Sequence, residues 1–221
     1  MILALLLADK PDSGRYFAPS GEGCVIERVA ATVLRGPFGG TLVAARAEIA
    51  PKAKEALRGF ALQHVDTSQA PGGTHGILIA ALNAAEEFRS RWEKARAAAA
   101  ERFEKTAPGK NGGSDWGKHK QSADVKIRGL ARSFDRDGVL VIPADSVDLK
   151  PEHLARVVEA FARDGQESKP HAFAQVVYSG QRSWPVAMSL EGAREVAGLS
   201  AKTEFSEWLL KNVERVKDVP C

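Results

Sequence analysis

VLVIPADSVDLKPEHL, residues 139–154, is the stretch on which the reading of this chain turns. Val139, Leu140, Val141 and Ile142 form an unbroken apolar run of strand-forming residues, the pattern of a parallel strand buried on both faces. The run ends in a lone acid, Asp145. A short loop follows, and a helix opens with proline at its first position, Pro151, and an acid, Glu152, in its first turn. In an α/β protein an acid so placed sits at the carboxyl end of a central strand, where ligands bind. Two readings of Asp145 stand open. It is a metal-holding carboxylate, or it is a strand-end acid that caps the coming helix or pairs with a lysine.

Outward from this unit, short apolar runs alternate with helix-length patterns. Strands are predicted at Ile2–Ala8, Thr41–Ala45, Leu62–Val65, Gly138–Ala144, Phe173–Tyr178, Val186–Ser189 and Val213–Val219. Helices are predicted at Val25–Leu34, Pro51–Phe60, from Ile77 onward, Pro151–Arg163, Glu191–Leu199 and Glu204–Asn212. The alternation predicts a mostly parallel sheet with helices on both faces. Residues 1–221 read as one domain, of the size that builds a well-buried core.

One segment breaks the rhythm. Glu86–Lys105 is rich in Ala, Glu, Arg and Lys and predicts a helix that continues the preceding one beyond the sheet. Residues 108–126 are glycine- and lysine-rich and predict a basic loop. It is either pinned to the body by Trp116 or is a lid that carries Lys110, Lys118, His119 and Lys120 over a phosphate-bearing ligand. The Ala-rich helix and the lysine-bearing loop read as a solvated face or as a docking element for a protein partner.

Bulk composition narrows the function classes. The chain is 44% hydrophobic and 27% charged, with a net charge of +3. That mixture argues against nucleic acid as a partner, since no strongly one-signed face stands ready to release counterions. The two cysteines, Cys24 and Cys221, lie near opposite ends without metal-type spacing, which predicts reduced thiols. MILALLLA has no basic leader and is too short to span a bilayer, so it reads as a first buried strand, with no membrane role and a cytoplasmic location expected.

Three stretches carry a family resemblance. RYFAPSGEGCVIERV, residues 15–29, resembles the segment K-x-L-x-P-x-G-G-x-P-L-L-E-R-V of the MobA-like nucleotidyltransferases. ADSVDLKPEHL, 144–154, is similar to their G-D-M-P-L-V-T-P-E-x-L. YSGQRSWPVAM, 178–188, resembles Y-x-G-x-R-G-H-P-V-L-F. Order and spacing match too, and residues 72–82 resemble the family's G-x-x-x-S-L-R-A-G-L. The resemblance covers nearly the whole chain except residues from about 90 to 137, which look like an insertion. The molybdenum-cofactor cytidylyltransferase branch is the most similar. The resemblance implies a Rossmann-like three-layer sandwich. It also implies a nucleoside triphosphate bound with magnesium and a nucleotidyl group passed to a phosphate-bearing acceptor.

On that resemblance Asp145 stands at the magnesium aspartate, as both catalytic and metal-binding candidate. Arg15 stands at the family's lysine. Nucleotide or phosphate contacts are expected from Lys10, Gly14, Arg15, Gly72, Gly73, Thr74 and His75. The glycine pair is either an anion-binding nest or a plain loop, and His75 either a ligand contact or a cap or core residue. The departures are equally specific. The family's loop L-A-A-G-x-S-x-R-M-G-x-x-K is represented by LLLADKPDSGR, residues 5–15, which is shorter and keeps only Gly14. Asp9 and Asp12 bring negative charge to a place meant for phosphate. The family's histidine near the last strands is Trp184, which neither ligates a metal nor transfers a proton. Three functions follow as alternatives: a divergent magnesium-dependent nucleotidyltransferase, a non-catalytic relative serving as an interaction or regulatory scaffold, and a module for another anionic metabolite.

Overall fold

All seven residues of β1 (Ile2–Ala8) are buried, because both faces of this strand are covered by helices. The computed structural model describes residues 1–12, 14–71, 73–106, 136–200 and 203–221. Chain order continues with α1 (Gly14–Phe17), a small hairpin of β2 (Pro19–Ser20) and β3 (Gly23–Cys24), α2 (Val25–Leu34), β4 (Gly40–Ala45), α3 (Ala50–Ala56) and β5 (Gln63–His64). Then come α4 (Thr74–Thr106), β6 (Gly138–Pro143), α5 (Pro151–Asp164), β7 (Phe173–Tyr178), β8 (Gln181–Ser189), α6 (Leu190–Ala197), α7 (Phe205–Lys211) and β9 (Val216–Pro220).

Seven strands form one sheet in the order β5-β4-β1-β6-β8-β7-β9. The pairs β5·β4, β4·β1, β1·β6 and β7·β9 are parallel, and β8 runs antiparallel to both of its neighbours. The fold is thus the expected Rossmann-like α/β sandwich with a mostly parallel sheet. Alternation along the strands sorts the core into two layers. Ile2, Ala4, Leu6, Leu140 and Ile142 face α2 and α5, where Ile26, Val29, Val157 and Phe161 pack. Leu3, Leu5, Leu7, Val139 and Val141 face the other way, toward Leu78, Ala81 and Leu82 of α4 and Val196 of α6.

Local chemistry explains the helix starts. The Glu27 carboxylate accepts the Cys24 N–H at 2.6 Å and closes the first turn of α2. Gly73 has φ +92°, a backbone state that only glycine adopts freely, so the chain can turn into α4 there. Gly76 lies one turn on, and a Cβ at that position would sit 1.8 Å from the Pro71 carbonyl oxygen. The entry loop and the helix can touch only because that side chain is missing.

Several boundaries differ from the sequence expectation. β8 starts at Gln181, well before the expected Val186, because the Ser179–Gly180 turn folds β7 and β8 into a hairpin. Both turn residues have positive φ, 48° and 79°. The strand expected at Leu62–Val65 shrinks to Gln63–His64, at the edge of the sheet, and the second helix ends at Ala56. Residues 213–215 form a 3-10 turn, and the last strand begins at Val216. The continuation of α4 through Glu86–Lys105 is as expected, and residues 91–99 of it are exposed all round. Gly72 and the basic loop, with Lys110, Trp116, Lys118, His119 and Lys120, lie outside the described residues.

Candidate functional site

The order of the sheet reverses at β1. The chain leaves β1 toward β4 and β5 on one side, and returns to β6 on the other. In open α/β sheets the crevice beyond the strand ends at such a reversal is where ligands bind. A cleft of about 530 Å³ lies there. The β1·β6 register pairs Leu7 with Pro143, and the Ala144 N–H donates to the Leu7 carbonyl at 2.8 Å. Two residues further along each strand end, Asp9 and Asp145 both line the cleft. The protein thus sets two carboxylates at neighbouring strand ends.

Asp145 is drawn into a compact charge cluster. Its Oδ2 accepts from Lys10 Nζ at 2.8 Å and lies 3.2 Å from Arg15 Nη2. The Asp145 side chain is 8% exposed, whereas those of Lys10 and Arg15 are 41% and 53% exposed. Lys10 is anchored through its backbone, whose N–H donates to the Tyr16 hydroxyl at 2.8 Å. Tyr16 is fully buried, and burial pushes its phenol far above the ordinary value, with Asp9 and Asp145 pushing the same way. It is a neutral post beneath the cluster. No hydrogen bond or ion pair engages the Asp9 carboxylate among the described residues.

A second group of polar side chains faces the same cleft. Tyr178 Oη lies 2.9 Å from His153 Nδ1, and the two rings meet edge to face. The Lys150 N–H also points at His153 Nδ1, at 3.4 Å. An N–H can only donate, so Nδ1 is the acceptor nitrogen, the Tyr178 hydroxyl donates, and the ring proton sits on Nε2. Burial and the neighbouring Lys150 hold the His153 pKa below its ordinary value. Trp184 lines the cleft and leans on Phe205, with ring centroids 5.8 Å apart, and so supplies an apolar wall.

The expected site residues divide into three sets. Lys10, Arg15, Thr74 and Asp145 meet around the cleft. Gly14, whose N–H donates to the Asp12 carboxylate at 3.0 Å, and Gly73 are both outside the cleft lining. Asp12 is exposed, so the acid that enters the crevice is Asp9. His75 is 3% exposed and turned away from the cleft, and neither ring nitrogen has a hydrogen-bond partner of good geometry among the described residues. Sequence reasoning left His153 and Tyr178 out of the site. Tyr178 stands inside the quoted YSGQRSWPVAM stretch, but its pairing with His153 depends on β7 passing beside α5.

Residues 12–216 match the sequence profile of the MobA-like NTP transferase domain. The chain belongs to the MobA-like NTP transferase family. A nucleotidyl transferase from Methanothermobacter thermautotroptrophicus superposes with a TM-score of 0.63 at 14% identity, covering 100% of this chain and 87% of that one. Rv0371c of Mycobacterium tuberculosis H37Rv, in complex with manganese, gives 0.59 at 14% identity, with 100% and 87% covered. A CMP:2-keto-3-deoxy-manno-octonic acid synthetase complexed with CTP gives 0.59 at 10% identity, with 100% and 89% covered. These likenesses are likenesses of fold. No curated protein sequence matches the chain.

The donor set suits a hard divalent cation. Magnesium or manganese takes oxygen ligands, commonly one or two carboxylates, and completes its shell with waters and phosphate oxygens. Asp145 and Asp9 supply such oxygens. The described residues contain no group of three or more His, Cys, Asp or Glu that would enclose an ion without help. Waters and phosphate oxygens would complete the shell of an ion held there.

Proposed function

We propose that this protein binds a nucleoside triphosphate with magnesium at the carboxyl edge of the sheet and transfers its nucleotidyl group to a phosphate-bearing acceptor. The observation that carries the reading is the convergence of Lys10 and Arg15 on Asp145 at the sheet's reversal point. In the proposed step an acceptor oxygen attacks the α-phosphorus, the bond from that phosphorus to the bridging oxygen breaks, and pyrophosphate leaves. Catalysis of such a step is positioning and charge neutralisation. Arg15 suits a bidentate grip on phosphate, and Lys10 a point contact. Thr74, the first residue of α4, lines the same cleft and would offer its hydroxyl to the phosphates. The magnesium, on Asp145 and Asp9, would neutralise phosphate charge.

A charge argument favours the metal. Four carboxylates line the cleft, Asp9, Asp145, Asp148 and Glu204, against two permanent cations, Lys10 and Arg15. A bare triphosphate entering that lining meets net repulsion, which a divalent ion reverses. The test is the melting temperature with CTP, GTP or ATP, each with and without magnesium. A nucleotide bound only by the native state at about 100 times its Kd adds roughly 2.7 kcal/mol, a rise of several degrees. No rise with any magnesium–nucleotide pair removes the reading.

A second reading keeps the scaffold without catalysis, with the insertion from about residue 90 docking a protein. The exposed run 91–99 of α4 favours it. Nucleotide-independent co-purification of one partner, lost when residues 90–126 are deleted, supports that reading.

A further inference from the structure

The geometry points to Lys10 as a competing ammonium that keeps a divalent cation off Asp145 until a triphosphate draws it away. The inference rests on the metal site proposed above and assigns a device that controls it. Three features carry it. Lys10 Nζ lies 2.8 Å from Asp145 Oδ2, in direct contact with the oxygen that a divalent ion would claim. Its backbone is held by buried Tyr16, yet its side chain is 41% exposed, so the ammonium can swing while its root stays fixed. Arg15 holds the same oxygen at 3.2 Å, so with Lys10 in place Oδ2 already has two cationic partners.

The consequence is coupling. Metal alone must displace an ammonium from Asp145, and that displacement weakens its binding. A triphosphate offers Lys10 a better partner in the same cleft, and Asp145 is then released to the metal. Each ligand therefore tightens the other, and by linkage the two effects are equal. Such coupling also limits occupation of the site by metal when no nucleotide is there.

The test is manganese binding without nucleotide, followed by the loss of the free-ion signal in electron paramagnetic resonance. Lys10→Met keeps the length of the side chain and removes its charge, and Lys10→Arg keeps the charge. The expected result is that Lys10→Met binds manganese about tenfold more tightly than wild type, while Lys10→Arg stays near wild type. In Lys10→Met, added triphosphate should tighten manganese binding less than it does in wild type. Asp145→Asn on the Lys10→Met background should lose the gain. If Lys10→Met matches wild type while Asp145→Asn abolishes binding, the metal site stands and the competing ammonium is wrong. If manganese binding ignores Asp145 in every background, or is undetectable even in Lys10→Met, the metal reading and this inference both fall. Circular dichroism melting of each variant separates loss of binding from loss of fold.

Discussion

Arg15 Nη2 stands 3.2 Å from Asp145 Oδ2, which ties the short helix after the first strand to the loop after the central one. Lys10 meets the same oxygen at 2.8 Å, across 135 residues of sequence. The carboxylate is nearly buried and its cations are half exposed, so the cluster faces the cleft and is not sealed beneath it.

Asp145→Asn therefore separates function from fold. The amide keeps the volume and a carbonyl oxygen, and the two cations can turn to water. Their loss of a partner costs stability about 1 kcal/mol or less, as for ion pairs near solvent. The melting temperature should fall by only a few degrees, while the stabilisation by magnesium with nucleotide disappears. An undiminished nucleotide response in this variant would show that the site lies elsewhere.

Asp164 makes the contrasting case. Its side chain is 2% exposed at the end of α5, and accepts from the His171 N–H at 2.6 Å, from the His171 ring at 2.7 Å and from Arg136 Nη1 at 3.3 Å. Arg136 also lies over the Phe161 ring, 4.1 Å from its centroid. Asp164→Ala strands a mostly buried guanidinium and a backbone N–H, and should cost about 3 kcal/mol or more in urea unfolding. A change below about 1 kcal/mol, on the scale of an exposed pair, would contradict this account.

His75 makes stability depend on pH. Burial pushes its pKa below the ordinary value, more than the nearby Glu204 carboxylate raises it. The unfolded chain then binds the proton more readily than the folded one. Stability from this group is complete above the unfolded value of about 6.5, and falls as pH drops through that value toward the lower folded one. Urea midpoints of wild type should decline from pH 7.5 to pH 5, and His75→Leu should decline less. Equal slopes for the two proteins would remove His75 as the cause.

His153 is expected to carry its proton on Nε2 at neutral pH, because Lys150 N–H and the Tyr178 hydroxyl both donate to Nδ1. Nitrogen-15 chemical shifts of the two ring nitrogens read the tautomer directly. A protonated Nδ1 in the free protein would reverse the Tyr178 hydrogen bond and abolish the one from the Lys150 N–H.

The sequence by itself determined the layered architecture and its central strands. Runs such as Ile2–Ala8 and Val139–Ile142 are apolar at every position, the pattern of short strands covered on both faces. The helix Val25–Leu34 was legible to the residue, because its apolar positions recur with helical period. The sequence also named Asp145, Arg15 and Lys10, through strand-end position and family resemblance. Only the tertiary structure decided that the three touch, since β1 and β6 are neighbours through hydrogen bonds that span more than a hundred residues. It also turned His75 inward while leaving Thr74 at the cleft, brought Asp9 level with Asp145 through the β1·β6 register, and set Tyr178 against His153. Local patterns fix which residues can form a strand or a helix. Which ends of those elements meet is fixed by register and packing, and that is where the site is made.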